Sequence, residues 1–265
     1  MKYSLGVIGF GVMGQAIVTR ALQDGALRPE SVLVYDLDTS KIANCGNPVH
    51  AATSIEELLA KSERVFFAVK PQQYVDAVTG KDFSGVKTIL TIMAGVSIET
   101  LRKNTGFSGG IVRVMPNTPC ALGKGICAYC LDRTLPEEEE FTLHILSSCG
   151  DVVRIEEGQF DAVTSVSGSG PAYVYMFAQG LIQGGVNGGL TYEQAKKLAL
   201  NTLCGAAELA KHSEESLDVL IDRVCSKGGT TIEAVKSFRN DGLTDVIAKG
   251  VEACRKRSEE LGKGK

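Results

Sequence analysis

Positive charge is not in excess in this chain. Its 28 Lys and Arg stand against 31 Asp and Glu, a net charge of −3 with no basic stripe, which argues against nucleic acid as a partner. Histidine is scarce. His50, His144 and His212 are the three present, and none lies in a segment with other chemical signals. A hydroxy-acid dehydrogenase takes its base from histidine or lysine, and lysine is missing from 159 to 195. Charge of either sign is missing from 162 to 192. That gap raises a membrane span, which needs about 20 apolar residues. Yet Ser165, Ser167, Ser169, Gln179, Gln183 and Asn187 recur through it, and Pro171 and glycines break it. Its apolar part, 172–186, reads as a helix buried on all sides, with no membrane involved. A targeting pattern is lacking as well: glycines interrupt the opening residues and no small-residue cleavage site follows, so they read as a first strand.

The eight cysteines, at 45, 120, 127, 130, 149, 204, 225 and 254, are scattered through apolar surroundings and read as reduced thiols of a cytoplasmic protein. Cys127 and Cys130 form a C-x-x-C inside a strand-like run. Residues three apart on a strand point to opposite faces, so no metal site is expected.

What is present begins with Leu5-Gly6-Val7-Ile8 running into Gly9-Phe10-Gly11-Val12-Met13-Gly14 and then Gln15 to Leu22. Strand, G-x-G-x-x-G and helix in that order make a dinucleotide-binding fingerprint. The first glycine serves the tight turn, the second the approach of a pyrophosphate, and the third the packing of helix on strand. Asp36 ends the next apolar run, where a carboxylate would accept from a ribose 2′-OH.

At 265 residues the chain has room for one large domain or two modest ones. Up to about residue 155, β-rich runs at 5–8, 32–35, 65–69, 88–93, 111–115, 126–131 and 152–155 alternate with helical patterns. Ser54 to Glu57 reads as a capping box, and Pro136 with Glu137 to Glu140 as an acidic, dipole-compensating first turn. This predicts a mostly parallel sheet covered on both faces. Beyond about 160 only helical periods remain, at 172–186, 192–211, 217–224, 232–238 and 243–261, with capping boxes at Thr191/Gln194 and Thr230/Glu233. The fold class is α/β: a Rossmann-type doubly wound sheet over 1–158, then an all-α domain over 159–265. The uncharged first helix of that domain has few places to hide, which predicts a dimer with a large apolar interface.

Ligands of an open α/β sheet sit beyond the carboxyl ends of its strands. Ala68-Val69-Lys70-Pro71, Ala94-Gly95 and Met115-Pro116-Asn117-Thr118-Pro119 fall there and are candidate walls of the ribose and nicotinamide site. In the helical region, Cys225-Ser226-Lys227-Gly228-Gly229-Thr230-Thr231 precedes a helix start, an anion site suited to a substrate carboxylate. A hydride acceptor that arrives already protonated, such as a cyclic iminium, would need no base.

These segments, with Ser167-Gly168-Ser169-Gly170-Pro171-Ala172-Tyr173 and Gly228-Gly229-Thr230-Thr231-Ile232-Glu233-Ala234, resemble the pyrroline-5-carboxylate reductase family from the first strand to the last helix. The resemblance implies reduction of L-1-pyrroline-5-carboxylate to L-proline by NAD(P)H, and a helical domain that interlocks into homodimers, often assembled into decamers. It implies that Thr231 is hydrogen-bonded near the ring nitrogen. It implies that Ser226 and the amides of Gly228, Gly229 and Thr230 hold the carboxylate, and that Glu157 lies near the substrate. Gly9 to Gly14, Asp36, Ala68 to Pro71, Ala94, Gly95, Asn117 and Thr118 are the expected cofactor contacts. Two departures stand out: Lys227 replaces the family's usual proline, and Asp36 stands where many relatives carry a small or hydroxyl residue. No Arg follows between 36 and 40 to offset that carboxylate, so NADH is expected to be preferred over NADPH. The competing readings are another two-domain reductase, such as a β-hydroxyacid dehydrogenase, and a dinucleotide sensor without turnover.

Overall fold

The computed structural model describes residues 2–263. They divide into two compact units, one formed by 2–169 with 254–263 and the other by 170–253. The first begins β1 (Leu5–Ile8), α1 (Val12–Gln23), β2 (Val32–Tyr35), α2 (Ser40–Ala43), β3 (His50–Ala51) and α3 (Ile55–Lys61). It continues β4 (Arg64–Phe67), α4 (Tyr74–Val78), β5 (Thr88–Thr91), α5 (Ile98–Thr105) and β6 (Gly110–Met115). Then come β7 (Gly125–Asp132), α6 (Pro136–Ser147), β8 (Gly150–Arg154) and α7 (Phe160–Val163).

The strands form one sheet in the order β3-β2-β1-β4-β5-β6-β7-β8. All neighbours are parallel except β6 and β7. The seven strands expected from apolar runs are present. The two-residue β3 was not expected, because His50 and Ala51 are exposed and carry no β signal. The order reverses between β1 and β4, which opens a ligand crevice at the carboxyl end of β1.

Two cores flank the sheet. Ile8, Phe67, Ile89, Ile111 and Cys130 belong to one, and Val7, Phe66, Leu90, Val112 and Cys127 to the other. Cys127 and Cys130 thus face opposite sides, as strand alternation requires. Burial pushes the Cys130 thiol up to about 11, so it stays a protonated core group at neutral pH.

The start of α6 departs from expectation. Of its acidic first turn, Glu138 is 3% exposed and its two carboxylate oxygens accept from Arg64 Nε at 2.5 Å and Nη2 at 2.8 Å. The guanidinium also lies 4.0 Å from the centre of the Phe141 ring. One of these acids is therefore a buried ion-pair partner as well as a dipole-compensating charge.

The second unit contains α8 (Gly170–Asn187), α9 (Tyr192–Lys211), α10 (Leu217–Val224), α11 (Thr230–Asn240) and the first part of α12 (Leu243–Lys263). The Thr191/Gln194 capping box forms. In the single chain α8 is not buried on all sides. Ala178 is its buried residue, while Val174, Tyr175, Met176 and Phe177 are exposed, because this unit has no second layer of its own to cover them. No helix among the described residues is long and apolar enough to cross a membrane.

The last turns of α12 group with the sheet, which a linear division at residue 158 does not capture. Ser258 Oγ donates to Asp161 Oδ1 at 2.6 Å, and Cys254 Sγ lies 3.3 Å from Ser169 Oγ.

Candidate active site

The three fingerprint glycines occupy three different environments. Gly9 has φ +89, and a Cβ there would lie 2.6 Å from Val69 Cγ1 and 2.8 Å from Val69 N. Any side chain is excluded twice over. A Cβ on Gly14 would sit 2.9 Å from the Gly9 carbonyl oxygen and 3.0 Å from Ala68 Cβ, so this glycine lets α1 close on the strand ends. At Gly11 a Cβ would meet nothing within 4 Å. That open side faces the start of α1, whose N-cap is Gly11 with no side-chain cap. The free amides and dipole of that first turn suit a phosphate.

Asp36 closes the loop from the next strand. Its Oδ2 accepts from Phe10 N at 2.6 Å, and its Oδ1 accepts from Asp38 N at 2.9 Å and from Lys41 Nζ at 2.9 Å. Burial pushes the carboxyl pKa up, but the bonds from Lys41, Phe10 and Asp38 outweigh it and hold the group below its ordinary value. Lys41, one position beyond the arginine-free stretch 36–40, is the cation that faces this carboxylate.

Gly9, Gly11, Asp36, Ala68, Val69 and Lys70 line a single cleft of about 630 Å³ with Lys41. The other expected contacts, Phe10, Val12, Met13, Gly14, Pro71, Ala94, Gly95, Asn117 and Thr118, are not among its lining residues. Phe10 is buried at 1%, Val12 is 81% exposed, Met13 packs partly into the core, and Pro71 continues the turn from Lys70. Ala94 and Gly95 follow β5, and Gly95 has φ +70. A Cβ there would lie 3.5 Å from the backbone of Leu261 and Gly262, so the end of α12 lies against this loop, a neighbour that no local pattern announced. Asn117 Oδ1 accepts from Ile126 N at 3.0 Å, which commits that oxygen to shaping its own loop. Thr118 is exposed at the head of a short 3-10 turn, Thr118–Leu122.

The Ser-Gly-Ser segment begins as a π turn over Thr164–Gly168. Thr164, Ser165 and Ser167 donate back to the carbonyls of Phe160, Ala162 and Val163, and such back-bonding widens and bends a helix.

In the second unit, the 225–231 segment is a tight turn into α11. Gly228 has φ +72 and Gly229 N donates to the Ser226 carbonyl at 3.0 Å. The amide of Gly229 is therefore spent inside the turn and is not a free carboxylate donor, a correction to the expected donor set. A second correction concerns the cap. The N-cap is Gly229 with no side-chain cap, and Glu233 pairs with Lys236 at 2.8 Å, so the Thr230/Glu233 box does not form. The two-glycine turn carries the backbone into the helix without it, and leaves the first-turn amides without a capping side chain.

One grouping was invisible in the spacing. The sulfurs of Cys120, Cys127 and Cys149 lie within 4.8 Å of one another and all three are fully buried. Hydrogen bonding to Cys120 and Cys149, with burial, holds the Cys127 thiol far above its ordinary value. The three act as core packing around the loop that starts at Asn117.

Comparison with known proteins agrees with this geometry. The family described as "Pyrroline-5-carboxylate reductase dimerisation" matches residues 157–261, and "NADP oxidoreductase coenzyme F420-dependent" matches 4–95. The pyrroline-5-carboxylate reductase of Synechocystis sp. is 38% identical over 99% of this chain and 100% of its own length. The chain belongs to the pyrroline-5-carboxylate reductase family. The Aquifex aeolicus member is also 38% identical, over 97% of each chain. A crystal structure of the Plasmodium falciparum pyrroline carboxylate reductase with NADP bound superposes with a TM-score of 0.89 at 31% identity, covering 98% of both chains. The family's two-part plan, a Rossmann-like sheet domain and a helical dimerisation domain, is the plan of this chain.

Glu157 opens the dimerisation match, and its immediate partners lie on β6 and at the start of α5, in the unit that contains the sheet. Its Oε1 accepts from Arg113 Nη1 at 2.9 Å and from Ile98 N at 2.7 Å. Arg113 had no signal in the sequence, since a lone arginine within an apolar strand looks like an edge position.

Proposed function

We propose that this chain transfers hydride from NAD(P)H to the C=N bond of L-1-pyrroline-5-carboxylate, giving L-proline. The observation that carries the reading is a pair of anion sites in a member of the family. One is the open glycine loop with Asp36 beneath it; the other is the α11 start that no side chain caps. The nicotinamide end of the cofactor extends toward the Ala94–Gly95 and Asn117–Thr118 loops. The substrate carboxylate is held by Ser226 and by the amides of Gly228 and Thr230. Gly229 supplies the space, since a Cβ there would lie 2.3 Å from Ser226 Oγ. Lys227, exposed in this turn, adds positive charge on the carboxylate side. Thr231 places its hydroxyl at the ring nitrogen. Catalysis is then mainly orientation and charge placement, with C4 of the nicotinamide brought over an imine that arrives protonated.

The experiment is to follow NAD(P)H absorbance with pyrroline-5-carboxylate as acceptor. Turnover is expected, and Thr231→Val should lower kcat/KM by about tenfold, the value of one well-placed hydrogen bond to a charged group. No turnover by the wild type overturns the reading.

The active form is a homodimer, further assembled into a decamer, working in the cytoplasm. The exposed apolar residues of α8 to α12, among them Tyr175, Met176, Leu198, Leu209 and Val246, support a partner copy on the helical unit. The eight free thiols support a reducing compartment. Sedimentation at micromolar concentration should give a dimer or a multiple of it, and a stable monomer overturns the assembly.

A further inference from the structure

We infer that Arg113 and Glu157 form a strut that sets the spacing between the two loops at the nicotinamide end of the cofactor site. This rests on the reductase reading above. It assigns Glu157 a positioning role through α5 in place of the substrate contact that the family resemblance implies.

Arg113 lies on β6 and is only 6% exposed. Its guanidinium sits 4.1 Å from the centre of the Phe160 ring and donates through Nη1 to Glu157. Its Nε is buried and makes no hydrogen bond. The Glu157 side chain is 35% exposed, so an apolar residue in place of Arg113 would strand no fully buried charge, and stability alone is a poor reason for this arginine. What the pair does is geometric. One carboxylate oxygen, Glu157 Oε1, holds both Arg113 and the amide of Ile98.

Ile98 is the first residue of α5, three positions after Gly95. Arg113 is two positions before Met115, where β6 ends and the Asn117–Thr118 loop departs. β5 and β6 are neighbours in the sheet, so their two loops flank the same crevice, and the shared oxygen spans them. From Phe160 the chain enters the π turn, where a Cβ on Gly168 would lie 3.4 Å from the Met115 sulfur. Three segments that converge on the crevice thus take their position from one ion pair. Hydride transfer is steep in donor–acceptor geometry, and a misplacement of about 1 Å costs on the order of 100-fold.

The test is steady-state kinetics of Glu157→Gln, Arg113→Met and Arg113→Lys, with the primary isotope effect measured using NADH deuterated at the transferred C4 position. Arg113→Met and Glu157→Gln should lower kcat by about tenfold and leave KM for NADH within about twofold. The isotope effect should rise, because the chemical step becomes limiting. Arg113→Lys should recover part of kcat, since it keeps the charge that faces Glu157. If Arg113→Met does not fold, Glu157→Gln carries the test: its amide oxygen still accepts from Ile98 but no longer neutralises Arg113. Unchanged kcat and isotope effect in Glu157→Gln overturn the strut. So does a rise confined to KM for the imino acid, which is the signature of a substrate contact. An inactive wild type overturns the reductase reading and the strut together, whereas an active wild type with unmoved variants overturns the strut alone.

Discussion

Replacing Arg64 by methionine is expected to lower the unfolding free energy by about 3–5 kcal/mol, the cost of leaving a buried charge without its partner. The pair is bidentate, at 2.5 and 2.8 Å, and the Glu138 side chain is 4% exposed against 13% for Arg64. Without the guanidinium, the carboxylate sits between β4 and α6 with little water to solvate it. It must then either keep its charge at high cost or take up a proton. Denaturant unfolding at fixed protein concentration measures the loss. The double variant Arg64→Met/Glu138→Leu should recover most of it, because apolar replacement of a buried pair is often neutral or better. The two changes should therefore be strongly non-additive. A single-variant loss below about 1 kcal/mol would place the pair with ordinary surface ion pairs and overturn the account.

The second large effect concerns cofactor choice. The wild type is expected to favour NADH, because a 2′-phosphate would have to share the cleft with the Asp36 carboxylate and with Asp38. Asp36→Ser removes the first of these charges and releases Lys41 Nζ, now 2.9 Å from Asp36 Oδ1, to face the phosphate. The ratio of kcat/KM for NADPH to that for NADH should rise by about 100-fold, equivalent to ~2.7 kcal/mol of differential binding. The same release of Lys41 predicts a loss of that gain in Asp36→Ser/Lys41→Ala. A wild type that clearly prefers NADPH sinks the argument. The sign of the pH dependence is fixed by the depressed pKa of Asp36, ordinarily 3.8. Its contribution to stability is present above that value and is lost as pH falls through the lower, folded-state value. Asp36 itself should accordingly add no pH dependence to the preference across the neutral range.

Much of this was legible in the residues, and for identifiable reasons. Gly9 and Gly14 could be read because a positive φ at Gly9 and close approaches at both exclude a side chain, while the open space at Gly11 is what a ligand would fill. The Thr191 box formed because Thr191 and Gln194 have no competing partner. At Thr230 the same pattern failed, because the glycine pair ahead of it carries the chain into the helix and Lys236 takes the glutamate. The acidic run at 137–140 was understood as a local feature, yet the partner of Glu138 is Arg64, 74 positions away. Arg113 and Glu157, 44 apart, were equally silent, since an ion pair closed by tertiary packing leaves no periodic trace in the chain. Lys41 escaped by a single position. The apolar, uncharged α8 could be recognised as needing cover, and in the single chain Val174, Tyr175, Met176 and Phe177 remain exposed.

The return of α12 to the sheet unit has a consequence in time. Residues 254–263 group with a unit whose other members end at residue 169, and they lie against the loop at Gly95. A ribosome delivers the chain from the N-terminus at about 5–20 residues per second. The strands of the sheet are therefore all synthesised well before the segment that completes their unit. Closing that unit spans the whole of 170–253, a long-range contact paid for in loop entropy before it is rewarded. The sheet unit can be completed only after the whole of the helical unit has been made.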